Sequence, residues 1–104
     1  MCGIVGIISS KEVTGRILNS LKKLEYRGYD SAGIATLVDG NINEVKCEGR
    51  VEVLEKDITK FNLKGDIGIG HVRWATHGKP SKINAHPHSS EHVSVVHNLS
   101  LIHI

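Results

Sequence analysis

The sequence predicts an α/β or α+β domain with much antiparallel pairing. Three observations carry that expectation. Apolar runs of strand length alternate with stretches of helical periodicity, in the order strand, helix, hairpin, helix, strand, loop, strand. The dipeptide Asp39-Gly40, set between two such runs, is a strong hairpin signal. At 104 residues and 39% hydrophobic content the chain is globular and long enough for at most one small domain.

Residues Gly3 to Ile8 read as a short buried strand, apolar and β-branched, ended by Ser9 and Ser10. Gly3 and Gly6 weaken it as a strand and imply that something packs close to its backbone. A helix follows, because Val13, Ile17, Leu21 and Leu24 recur at helical spacing and Leu18 widens the stripe. Ser9 or Ser10 can cap its start, Glu12 suits its first turn and Lys22 and Lys23 its last. It should end near Glu25 or Tyr26. Residues 31–38 and 42–47 form the arms of the hairpin. Val51, Leu54 and Ile58 suggest a second helix, and residues 66–72 another strand. The stretch 75–91 is polar and His-rich, holds Gly78, Pro80 and Pro87, and reads as a long loop before a strand at 93–97.

Composition excludes several classes. Lys+Arg 13 against Asp+Glu 11 leaves a formal charge of +2, too near balance to call for nucleic acid or an anionic membrane surface. No apolar run approaches the ~20 residues of a membrane-spanning helix. The first residues are apolar at once, with no basic region before them, so no signal peptide is expected and the cytoplasm is the expected location. Two cysteines build no disulfide framework. Cys47, between Lys46 and Glu48, reads as an incidental thiol in a polar stretch.

Cys2 stands apart because of its position. A small second residue favours removal of Met1, which leaves Cys2 with both a thiol and a free α-amine. That amine, with a reference pKa of about 7.7–8.0, is partly neutral near pH 7 and serves as a tethered base. The plainer alternative is a cysteine that merely follows the initiator methionine. The apolar strand behind it favours the first reading, because it would hold the terminus rigid.

Three further groups of residues could carry chemistry. In Arg73-Trp74-Ala75-Thr76-His77-Gly78, Arg73 follows a glycine-rich strand and offers a bidentate grip on a carboxylate. Thr76 and His77 add donors and acceptors nearby, and Trp74 is either a core anchor or a site wall. Alone, this hexapeptide is more often a structural loop. Asn84-Ala85-His86-Pro87-His88, with His92 beyond, raises the question of zinc, but no Cys or acidic partner shows ligand spacing, and hydrogen bonding within a loop is the better use. In Val95-Val96-His97-Asn98, the Asn98 amide could donate to a developing oxyanion, an interaction that supplies about 3–4 kcal/mol of transition-state stabilisation, or simply end a strand in a turn.

Taken in order, these segments resemble one family. Met1-Cys2-Gly3-Ile4-Val5-Gly6, Leu24-Glu25-Tyr26-Arg27-Gly28-Tyr29-Asp30-Ser31-Ala32-Gly33, Arg73 to Gly78 with Lys79-Pro80-Ser81, Asn84 to His88, and Val95 to Asn98 look like the glutaminase domain of class II, N-terminal-nucleophile, glutamine amidotransferases. The Tyr-Arg-Gly-Tyr-Asp-Ser and Arg-Trp-Ala-Thr-His-Gly forms look like the branch that makes glucosamine 6-phosphate from fructose 6-phosphate and glutamine.

The resemblance implies an α+β fold, the αββα sandwich of N-terminal-nucleophile hydrolases with antiparallel sheets, left incomplete here. It implies that Cys2 attacks the glutamine side-chain amide, with its own α-amine as base. Ammonia leaves and a glutamyl thioester forms, which water hydrolyses. Asn98 helps to form the oxyanion hole. Arg73 grips the α-carboxylate of glutamine, and Thr76 and His77 line the pocket. Trp74 belongs to a gating loop, and Arg27 supports the nucleophile from behind. No cofactor and no metal are implied. Glutamine is the substrate, fructose 6-phosphate binds through domains beyond this chain, and the parent protein is expected to be a homo-oligomer.

The resemblance covers residues 1–98. The family has Gly where Leu99 stands, and Leu99-Ser100-Leu101-Ile102-His103-Ile104 is unlike the family pattern, so residues 99–104 are expected to be foreign or frameshifted sequence. The family's downstream Asp for the glutamine α-amine is absent, and the chain by itself is expected to be inactive. Two other readings are weighed against this one: the glutaminase half of a different class II amidotransferase, and a non-catalytic domain that binds metal through its 86–92 loop.

Overall fold

A computed structural model describes residues 3–25, 31–61, 63–73, 85–90 and 93–96. Strands β1 (Gly3–Ile8), β2 (Ser31–Val38), β3 (Asn41–Glu48) and β4 (Ile67–Arg73) form one sheet in the order β1-β4-β2-β3, antiparallel throughout. Helices α1 (Thr14–Leu24) and α2 (Val51–Phe61) cover one face. Two-residue strands β5 (His88–Ser89) and β6 (Ser94–Val95) pair in a small hairpin. The fold is α+β.

The layer between helices and sheet is built from alternation. In β4, Gly68, Gly70 and Val72 point to the helices. A Cβ on Gly70 would lie 2.5 Å from Ile17 Cγ2, and one on Gly68 2.7 Å from Ile17 Cδ1. The missing side chains therefore form a trough into which α1 settles. Ile17 and Leu21 are fully buried there, together with Val13, Ile34, Val51, Leu54 and Val72. The β2–β3 hairpin turns at Asp39 and Gly40, both at positive φ (51° and 77°), as a two-residue turn between right-twisted strands requires.

Several expectations are corrected. Ser9 and Ser10 do not cap α1, and Glu12 is not in its first turn. The helix starts later, at Thr14, with Val13 at the cap position and no capping side-chain bond from it. The Glu12 carboxylate instead accepts from the Thr14 N–H at 2.6 Å, and the Val13 N–H donates to the Gly65 carbonyl at 2.8 Å. Packing of Val13 against the sheet sets the start, overriding serine's capping preference. Strand β1, expected to be buried, is an edge strand that buries only its helix side. Gly3 is buried, with its Cβ position 2.9 Å from Leu24, whereas Gly6 is exposed and crowded by nothing closer than 3.9 Å. Cys47, although its sequence neighbours are polar, lies in the core, where its thiol donates to the Arg50 carbonyl at 3.9 Å. Its neighbours in sequence point to the opposite face, and local composition could not reveal that. The long loop contains β5, and among the described residues 93–96 the strand is confined to Ser94–Val95.

Candidate active site

One end of the sheet gathers the segments singled out above. Strand β4 ends there at Arg73, which pairs with Ser31, the first residue of β2. Its neighbour Val72 pairs with Gly3, the first residue of β1. Gly3 and Ser31 thus flank the end of the central strand, two strand spacings or roughly 10 Å apart. Cys2 immediately precedes Gly3 in the chain, Arg27 precedes Ser31 by four residues, and Trp74 follows Arg73. The side chains of Cys2, Arg27, Trp74, Thr76, His77 and Asn98 lie outside the described residues. Arg73 is described. It is 7% exposed, at the end of a strand buried on both sides by β1 and β2. A guanidinium held at such a strand end can take a carboxylate in a bidentate fork.

Two features escaped the reading of the sequence. Glu25, the residue after α1, buries its carboxylate under the start of α2. It accepts from the Val51 N–H at 2.9 Å, and Arg50 Nη2 lies 3.7 Å away. One carboxylate therefore satisfies the positive N-terminal end of α2 and ties it to the end of α1. A lone Glu between Leu24 and Tyr26 carries no sequence signal for a cap 26 residues distant.

The second feature is a histidine group on the sheet face opposite the helices. His71 is fully buried and stacks on His86, with ring centroids 4.2 Å apart and planes at 21°. His88 lies against His86 at 4.5 Å and 57°. Among the described residues no three His, Cys, Asp or Glu side chains converge as metal ligands, and His92 is outside them. The His86 ring packs between those of His71 and His88. The available signal was His71 itself, a polar ring two positions before Arg73 in an otherwise apolar strand.

Relatives decide the family. The chain is 57% identical over 100 residues to the glutamine–fructose-6-phosphate aminotransferase [isomerizing] of Clostridium acetobutylicum. It is 59% identical over 100 residues to that of Francisella tularensis and 56% over 98 to that of Bradyrhizobium diazoefficiens. In each case the match takes in 94% of this chain. It belongs to the class II glutamine amidotransferases. The chain spans 16% of the length of those curated relatives. The family's fold is seen as well in a solved structure, the glutamine phosphoribosylpyrophosphate amidotransferase of B. subtilis complexed with ADP and GMP. That match has a TM-score of 0.69 and 26% identity, over 84% of this chain and 18% of that one. No protein-family model matches the chain. Among the described residues, no helix is long and apolar enough to cross a membrane.

Proposed function

We propose that residues 1–98 are the N-terminal portion of the glutaminase domain of an enzyme that makes glucosamine 6-phosphate from fructose 6-phosphate and glutamine. The observation that carries this reading is the level of identity, 52–59%, to relatives of that printed name. The meeting of Gly3, Ser31 and Arg73 at one sheet end supports it, because the nucleophile and the carboxylate clamp must share one pocket. In this reading Cys2, freed of Met1, uses its α-amine as base and attacks the glutamine amide. Its thioester is hydrolysed to glutamate and the ammonia passes to the sugar phosphate. Asn98 holds the oxyanion. Arg73 grips the α-carboxylate beside Thr76 and His77, with Trp74 at the gate and Arg27 behind the nucleophile. Residues 99–104 stand outside the domain, and the matched 94% of the chain is in keeping with that. The parent is a cytoplasmic homo-oligomer in this reading, and the chain alone is inactive.

The test is made in a full-length chimera, with the matched part of this chain replacing the corresponding segment of the C. acetobutylicum relative. Cys2→Ala should reduce glutamine hydrolysis by on the order of 10³-fold or more, with the circular dichroism spectrum unchanged. Retained hydrolysis would remove Cys2 as the nucleophile. Intact mass after brief treatment with diazo-oxo-norleucine gives a second readout: loss of Met1 and one adduct on Cys2, blocked by excess glutamine. Labelling at Cys47 instead would contradict the assignment.

A further inference from the structure

His71 and Arg73 are two residues apart in β4 and therefore leave the sheet on the same side, the face without helices. One strand period, roughly 7 Å, separates their Cα atoms. His71 is fully buried although the helices do not reach it. The segment around His86 covers it. The two imidazoles stack at 4.2 Å and 21°. The backbone comes in equally close, because a Cβ at Gly33 would sit 2.0 Å from the His86 carbonyl oxygen and 2.9 Å from Pro87 Cδ. Gly33 is the register partner of His71 on β2. Ala85 and Pro87, on either side of His86, are themselves fully buried. His86 is thus held at two points, its backbone on Gly33 and its ring on His71, next to the Ser31–Arg73 pair that ends the strand.

We infer that His71 and His86, seated on Gly33, are positioning residues for Arg73. The inference rests on the reading that Arg73 grips the α-carboxylate of glutamine. A bidentate fork delivers its advantage only in a narrow range of orientations, and a displacement of about 1 Å can cost 10²-fold in rate. Two residues flank Arg73 on its own face, Ser31 across the strand and His71 along it, and the stack holds His71 in place. The same stack joins the chain before residue 74 to the chain after residue 84, so Arg73 stands where two separate stretches are fastened together. A flat ring is what the stack requires, so the role belongs to ring shape more than to charge.

The experiment measures glutamine hydrolysis in the full-length chimera for five forms: the parent, His86→Ala, His86→Phe, Arg73→Lys and the double variant His86→Ala/Arg73→Lys. His86→Ala should raise KM for glutamine about tenfold while kcat stays within about twofold, the pattern of lost substrate binding. His86→Phe keeps a flat ring and should hold KM within about threefold of the parent. With Arg73 already replaced by Lys, His86→Ala should add less than about twofold, because the fork it aligns is gone. An unchanged KM in His86→Ala, a loss confined to kcat, or a full KM penalty persisting beside Arg73→Lys would each overturn the inference. Should His86→Ala not fold by circular dichroism, His86→Gln, which removes the ring but keeps a polar side chain, takes its place in the same cycle. A parent chimera with no glutamine hydrolysis refutes the functional reading itself. That result differs from an active chimera whose KM ignores residue 86.

Discussion

Glu25 shows what a single buried carboxylate does in a chain this small. It is 8% exposed and bonds the Val51 N–H at 2.9 Å, one of the donors that α2 cannot satisfy internally. Removing it leaves a buried N–H with no acceptor and withdraws a negative charge from the helix N-terminus. Glu25→Ala should therefore destabilise the fold by about 1–3 kcal/mol. Urea unfolding followed at 222 nm checks this, with a lower midpoint and an unchanged slope expected. A midpoint equal to the parent's would mean that solvent supplies the missing acceptor. The surface pair Lys22–Glu55, at 2.7 Å but with both side chains 40% or more exposed, should matter far less.

At the level of elements, β4 carries most of the architecture. It is central, it pairs with β1 and β2, and its glycines make the trough for α1. Gly70→Ala puts a methyl group 2.5 Å from Ile17 Cγ2 and 3.2 Å from Leu21 Cδ1, both on fully buried side chains with no room to retreat. Overpacking of this kind costs about 1–3 kcal/mol. For a chain of this size each kcal/mol lowers the melting temperature by roughly 4–8 °C. A thermal scan of Gly70→Ala beside Gly15→Ala separates trough from propensity, because nothing lies within 4 Å of a Cβ at Gly15, in α1. Gly15→Ala should stabilise slightly through helix propensity. Equal melting temperatures for the two variants would refute the trough.

On the scale of the whole molecule, the two faces of the sheet are unlike. The helices seal one. The other presents Ile4, Ile8, Leu37 and Ile67, each at least 36% exposed, beside an open cleft of about 250 Å³ lined by Ala35, Leu37, Ile42, Ile67, Ile69 and Ser94. Ile8 and Ile67 are direct cross-strand partners, so the patch is continuous across β1 and β4. Contiguous apolar surface beside an open strand edge drives association. The 104-residue chain should sediment as more than a monomer at roughly 100 μM. The double variant Ile8→Lys/Ile67→Lys should restore the monomer. A parent chain that sediments as a monomer at that concentration would show that the face is tolerated in water.

Much of this was legible in the residues. Local patterning located the first helix and the four long strands to within a residue or two and marked the second helix by Val51, Leu54 and Ile58, and Asp39-Gly40 placed the hairpin, because these signals are local and the chain's own stereochemistry sets them. The ordered motifs from Cys2 to Asn98 led to the family for the same reason, since a motif is read along the chain. What the sequence alone could not determine is which residues meet across it. That α1 begins at Thr14, that Cys47 is core and that Glu25 caps a helix 26 residues away follow from packing between elements distant in sequence. The seat of His86 on Gly33 and His71 has the same origin. A glycine, two histidines and an arginine acquire a common purpose only when antiparallel register sets residue 33 beside residue 71, and a segment returning after residue 84 closes over them.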